Sequence, residues 1–321
     1  MMGQTEWEGR KVVIIGAGAV GSTFAYALAL SGIADDIVLL DHNRELVKGQ
    51  VLDLVHGLPF LPAVHIREGS EVDCRDARVI FITAGARQQP GESRLNLLRR
   101  NISIVEGIAQ AIASQGSRAV IVVVSNPVDV LTYAAVKKAG WPGGRVMGSG
   151  TFLDSARFRY LIGRHCGVDV HNVHAYILGE HGDSEFAAWS MTHIAGMPMQ
   201  EYCLLCRGCT DWNIEHAKIV EEVRDSAYHI IDYKGSTTFA IGLALVQIVA
   251  AIVRDQHSVM AVSTYLSGEY GIQDVCLSVP CIVSGHGVEK IIEGSLTVEE
   301  LSALSHSASV LKKTIAGLHW A

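Results

Sequence analysis

The first half of the chain alternates short runs of β-branched and other apolar residues with longer stretches in which apolar and polar positions mix. Residues 11–16, 37–41, 79–83, 119–125 and 145–148 are short and nearly all apolar, the pattern of strands covered on both faces. Between them, residues 20–31, 44–56, 94–114 and 130–139 read as helices. Strand and helix in alternation predict a parallel sheet with helices on both faces, the doubly wound α/β (Rossmann) arrangement. The rhythm changes at Thr151. A helix is expected over 151–165, a strand over 173–178, and a helical region over 214–253 broken near Gly235. Two β segments, 259–265 and 276–284, bracket a glycine-rich turn, and a last helix begins after Thr297, which with Glu300 has capping-box spacing. The expected organisation is a Rossmann unit over 1–149 followed by a mixed α+β substrate-binding unit over 150–321, with the boundary near Gly150.

Composition narrows the classes of function. The 321 residues are 49 % hydrophobic and 18 % charged, enough apolar material for a full core. The net charge is −7, from 26 basic and 33 acidic side chains with no basic run, so no nucleic-acid partner is expected. The most apolar stretch, 239–253, is interrupted by Gln247 and falls short of the roughly 20 residues a membrane span needs; it is expected to be a buried helix. The first ten residues are polar, so no secretory signal is expected. Seven cysteines in such a chain suit a reducing cytosol, and the expected location is cytoplasmic. Cys203, Cys206 and Cys209 have C-x-x-C-x-x-C spacing. They are either three thiolate ligands, with His216 a possible fourth, or a surface loop of reduced thiols. The second reading is preferred, and no metal is expected.

Residues 11–16 lead directly into Gly16-Ala17-Gly18-Ala19-Val20-Gly21. In G-x-G-x-x-G the first glycine makes the turn, the second lets a pyrophosphate approach the backbone, and the third lets helix and strand pack closely. The pyrophosphate then sits at the positive end of the following helix. Asp41 ends the second strand, 20 residues past Gly21. A carboxylate there accepts hydrogen bonds from a ribose diol and repels a 2′-phosphate, which favours NAD over NADP. A doubly wound domain that binds no nucleotide is the alternative.

Four further segments follow in order: GARQQPGESR (85–94), VSNPVDVLTY (124–133), GSGTFLDSARFR (148–159) and GEHGDS (179–184). Together with the glycine motif they resemble the L-lactate dehydrogenase family of the lactate/malate dehydrogenase superfamily, over nearly the whole chain. The resemblance implies reduction of a 2-keto acid by NADH. His181 matches the acid/base histidine; imidazole titrates near neutrality and can supply and recover the ketone's proton. Asp154 resembles its carboxylate partner, and Arg157, one turn further along the helix, resembles the arginine that grips the substrate carboxylate. A plain helix-surface ion pair is the competing reading of these two. Arg94 resembles the arginine of a mobile loop that polarises the ketone, with Pro90 and Gly91 as turn residues of that loop. Its neighbours Arg99 and Arg100 are expected to be solvated or to line an interface. Asn126 resembles a residue that touches both substrate and nicotinamide. Thr83, Ala84, Gly85, Ala86, Ser125 and Ser149 lie at comparable strand ends and are expected to line the dinucleotide cleft.

Gln88 decides between substrates. The malate branch resembles arginine at this loop position, where it pairs with the second carboxylate of oxaloacetate. An oxaloacetate carboxylate closed against uncharged Gln88 would be an unpaired buried anion, costing about 3–5 kcal/mol, whereas the methyl of pyruvate carries no such cost. Thr237 matches a pocket position near the substrate side chain, and Ile241 is expected to form an apolar wall. Pyruvate and L-lactate are therefore the expected substrates. The alternatives are malate, larger 2-hydroxy acids, and a catalytically retired NAD-binding structural or sensor protein; intact His181, Asp154, Arg157 and Arg94 disfavour the last. The family is usually tetrameric, so a homotetramer is expected. Arg159 and His174 match positions that bind the allosteric activator fructose 1,6-bisphosphate in bacterial members; an interface residue is the alternative reading of Arg159. About ten residues precede the first strand, too few for the long N-terminal arm of the animal enzymes, so a bacterial-type enzyme is expected.

Overall fold

In a computed structural model of the chain, residues 9–89, 91–206 and 211–318 are described, residue 213 by its backbone alone. The first half runs β1 (Lys11–Ile15), α1 (Ala19–Ser31), β2 (Asp36–Leu40), α2 (Arg44–His56), β3 (His65–Glu68), β4 (Val79–Ile82), α3 (Arg94–Ser114), β5 (Val120–Val123), α4 (Val128–Ala139) and β6 (Val146–Gly148). The second half runs α5 (Phe152–Cys166), β7 (Val173–His174), β8 (Ile177–Leu178), β9 (Phe186–Ala187), β10 (His193–Ile194), β11 (Met197–Pro198), α6 (Met199–Leu205), α7 (Trp212–Lys234), α8 (Phe239–Val253), β12 (Ser258–Ser267), β13 (Gln273–Ser284), β14 (Gly287–Ile291) and α9 (Val298–Ala316).

Six parallel strands in the order β3-β2-β1-β4-β5-β6 form the doubly wound sheet. The central strands β4 and β5 are buried at every position, which is why they read as unbroken apolar runs. The sheet does not stop at Gly150. Strand β12 bridges β6 in antiparallel sense through Ser263 and Gly148, and β13 and β14 extend the sheet to nine strands. The main core accordingly mixes residues of both halves, Val13 and Phe81 with Leu245, Val262 and Leu277. A second core, around Phe158, Ile162, Cys203 and Val223, belongs to the second half alone.

Two expectations need correction. The strand expected over 173–178 is two short strands in different sheets: β7 pairs with β10, and β8 with β9. Its ladder is broken because the Ala175 carbonyl accepts from Arg159 Nε (3.1 Å) and the Tyr176 carbonyl from Ala188 N (2.9 Å). The edge strands β3 and β14 and the two-residue strands β9, β10 and β11 lie outside the expected elements. The helical break near Gly235 is present, with that glycine at φ +83° between α7 and α8. The Thr297–Glu300 capping box is formed in both directions. No helix among the described residues is long and apolar enough to cross a membrane.

Candidate active site

The glycine motif sits where β1 turns into α1. Gly16 is at φ +117°, and its amide donates to the Leu40 carbonyl at the end of β2 (2.7 Å). A Cβ on Gly21 would lie 1.9 Å from the Gly16 carbonyl oxygen, so the third glycine is required by helix–strand contact. A Cβ on Gly18 would meet no protein atom within 4 Å. Packing does not demand that glycine; close approach by a ligand is the reason that remains. Helix α1 starts at Gly18 with no side-chain cap, leaving its first amides for an anion. Asp41 Oδ2 accepts from Ala17 N (2.8 Å) and Oδ1 from Asn43 N (2.9 Å), which fixes the carboxylate against the turn. Gly16, Asp41 and Ala84–Ala86 line one cleft of about 1670 Å³. Thr83 Oγ1 donates to Gly16 O (2.8 Å) and Ser125 Oγ to Ala84 O (2.5 Å), so these two hold the cleft's loops together. Val20 packs on the main core, Ser149 is buried and tied to Val123, and Asn126 is exposed just after β5 in a cis Asn126–Pro127 bond. The residues present fit a dinucleotide.

The acid–base pair is assembled from α5 and the loop after β8. His181 Nδ1 donates to Asp154 Oδ2 at 2.6 Å, and Arg157 Nη1 donates to Asp154 Oδ1 at 2.6 Å. Asp154 is 2 % exposed, so the plain surface ion pair is excluded. Burial pushes the Asp154 carboxyl up, but the His181 and Arg157 charges outweigh it and hold it below its usual range. Burial works against charge on His181, and Asp154 overrides it, so the imidazolium persists to about 9. With Nδ1–H committed to Asp154, Nε2 is the nitrogen left for a substrate.

Three supports of this loop had escaped notice. His181 N donates to Asp129 Oδ2 (2.8 Å), and Ser263 Oγ on β12 donates to Asp129 Oδ1 (2.6 Å). Burial raises the Asp129 carboxyl to about 6, against those two hydrogen bonds. Glu180 N donates to Ser307 Oγ on α9 (2.6 Å). The signal for Asp129 was available: it is a lone acid in an otherwise apolar helix start, VDVL.

The 85–93 loop is braced from within. Exposed Gln88 donates through Nε2 to Glu92 O (2.8 Å), and Gln89 N donates to Glu92 Oε2 (2.9 Å). Arg100 Nη2 reaches both Arg87 O (2.8 Å) and Glu92 Oε2 (2.9 Å). Arg100 is thus a half-buried loop anchor, so of its two expected readings simple solvation does not hold. Arg94 opens α3, exposed, with its charge felt at Tyr228, whose hydroxyl donates to Asp183 of the His181 loop (3.0 Å). Pro90 lies outside the described residues. Thr237 is half-buried in the link between α7 and α8, with no hydrogen bond to His181 or Arg157; Ile241 packs on the main core.

Arg159 is half-buried under the Ala175 carbonyl and the Tyr176 ring (5.5 Å), and His174 is exposed on β7. In the cysteine cluster the expected reduced thiols need correction, because Cys203 is buried and disulfide-bonded. Cys206 is a free thiol that donates to His165 O (3.7 Å), and Cys209 lies outside the described residues. His216 commits Nδ1–H to Trp212 O (2.8 Å) and stacks on that indole, so it is a packing residue.

Known proteins share this fold. The family model for the lactate/malate dehydrogenase NAD-binding domain matches residues 10–148, and that for the lactate/malate dehydrogenase alpha/beta C-terminal domain matches 151–319. The chain is 57 % identical to an L-lactate dehydrogenase of Treponema denticola, covering 97 % of the chain and 98 % of that protein. It is 48 % identical to an L-lactate dehydrogenase of Acetivibrio thermocellus, covering 96 % and 97 %. Its fold superposes on the minor L-lactate dehydrogenase of Enterococcus mundtii in its ligands-bound form with TM-score 0.94 at 41 % identity, covering 98 % of the chain and 100 % of that structure. The chain belongs to the lactate/malate dehydrogenase family, and within it to the L-lactate dehydrogenases.

Proposed function

We propose that the chain is an NAD-dependent L-lactate dehydrogenase, interconverting pyruvate and L-lactate with His181 as acid and base. The observation that carries this reading is the series Arg157–Asp154–His181, centred on buried Asp154, with 2.6 Å at each link. Gly16–Gly21 and Asp41 would hold NADH, which would supply the hydride when bound. His181 presents its Nε2 proton to the ketone oxygen and takes it back in the lactate direction. Asp154 keeps the ring's orientation and charge. Arg157 has guanidinium N–H groups beyond the one given to Asp154, and these meet the pyruvate carboxylate. Arg94 closes over the ketone with its loop and excludes water. Asn126 touches substrate and nicotinamide, and Thr237 lines the side-chain pocket. Gln88 leaves the distal end of the substrate site without a cation, which favours the pyruvate methyl over a second carboxylate by about two to four powers of ten.

Assembly belongs to the same proposal. The packed pair α1 and α8 exposes Tyr26, Leu30, Phe239 and Leu243, an apolar face suited to a subunit contact in a homotetramer. Fructose 1,6-bisphosphate is assigned to Arg159 and His174 as an activator. The two-unit division at Gly150 and a cytoplasmic setting complete the reading. The test is His181→Ala: turnover of pyruvate is expected to fall by about 10²–10⁴ while NADH fluorescence titration still shows binding. Full retained turnover refutes the role of His181.

A further inference from the structure

Glu185 is a buried acid that the mechanism above does not use. It is 8 % exposed, between the His181 loop and β9. One carboxylate oxygen each from Glu185 and Asp154 and one ring nitrogen of His181 lie within 4.8 Å of one another. Asp154 accepts two charge-assisted hydrogen bonds, from His181 and Arg157; the Glu185 carboxyl accepts none from the described residues. Two carboxylates this close do not both ionise readily, and the one without donors keeps its proton longer. The charged and titratable groups around Glu185 are Asp154 and Arg157 on α5, His181 on the loop, and Arg224 and Tyr228 on α7, with Asp129 of α4 behind His181. Its outer side borders a cavity of about 460 Å³ lined also by Trp189, His216, Glu221 and Arg224.

We propose that Glu185 is a positioning residue of the acid–base pair, a third proton site whose negative charge, when it ionises, holds the proton on His181. The inference rests on the reading of His181 as the acid. Burial and the Asp154 charge push Glu185 up to about 8, below the value of about 9 for His181. When Glu185 loses its proton in that range, the new negative charge favours the imidazolium beside it. Pyruvate reduction, which needs that imidazolium, is extended toward alkaline pH.

The experiment is Glu185→Gln in the full-length enzyme, read two ways. The titration of His181, followed by NMR with ¹³C-labelled histidine, is expected to move acidward by about one unit or more, the size of shift a charge at this distance produces. The ratio of kcat for pyruvate at about pH 9 to that at about pH 6 is expected to fall by about fivefold or more, since a one-unit shift takes the protonated fraction at about pH 9 from about one half to about one tenth. An unmoved His181 titration overturns the proposal, as does an equal loss at every pH. A moved titration with an unmoved rate profile supports the coupling and refutes His181 as the acid. The wild-type protein gives an independent check: the Glu185 carboxyl carbon is expected to titrate near 8, in step with an inflection in the His181 signal. Titration in the ordinary carboxylate range overturns the proposal.

Discussion

Replacing Asp154 by Asn removes one charge from beneath His181 and leaves the side-chain volume nearly unchanged. In the wild type, Asp154 at 2.6 Å lifts the imidazolium to about 9 against the opposing effect of burial. Relative to an ordinary histidine near 6.5, that is about 2.5 units, or about 3.4 kcal/mol at 1.36 kcal/mol per unit. Without the carboxylate, burial is opposed only by the Glu185 and Asp129 charges, and the value is expected to fall well below 9, to about 6.5. At about pH 7.5 the protonated fraction then falls from nearly all to about one tenth or less, a tenfold loss in pyruvate reduction from protonation alone. The Asn amide can also donate to Nδ1 and select the wrong tautomer, so the total loss is expected at about 10²–10³. The assay is kcat/KM for pyruvate across the pH range, with NADH saturating. The alkaline inflection should move from about 9 to about 6.5, with partial recovery of rate at acid pH. An inflection that stays near 9 refutes the reasoning, because some other group would then hold the proton.

Arg157→Lys replaces a fork by a point charge while keeping the charge opposite Asp154. The KM for pyruvate is expected to rise by about ten- to a hundredfold with NADH affinity unchanged, and an unaltered KM would remove Arg157 from the substrate site. Titration with fructose 1,6-bisphosphate at low protein concentration is expected to raise activity, and Arg159→Ala to abolish the response. A flat wild-type response would remove the effector from the account.

Much of the fold was legible because the central strands are buried on both faces, and burial writes itself as apolar runs. The short two-residue strands β9, β10 and β11 escaped notice, and so did β3 and β14, which are the two edges of the nine-stranded sheet. An edge strand needs few apolar positions. In β3 only Ile66 is buried, and Arg67 leaves the strand to pair with Asp36 and Asp73 (2.9 and 2.7 Å). The site divides in the same way. The glycine turn, His181, Asp154 and Arg157 stand in contiguous motifs and were readable. The residues that hold them, Asp129, Ser263 and Ser307, come from distant segments, and only folding brings them to the loop. Arg100 was misjudged because a charged residue on an amphipathic helix reads as solvated until the loop it anchors is in place. The continuity of the sheet through Ser263 and Gly148 is likewise a long-range pairing that no local pattern announces.

The most direct test of the account is NADH oxidation with pyruvate and with oxaloacetate, side by side at equal concentration and near neutral pH. The uncharged Gln88 predicts a preference for pyruvate of about a hundredfold or more. Preference for oxaloacetate would mean that a cation reaches the distal end of the substrate and would contradict the specificity argued from Gln88; no oxidation with either keto acid would contradict the assigned reaction itself.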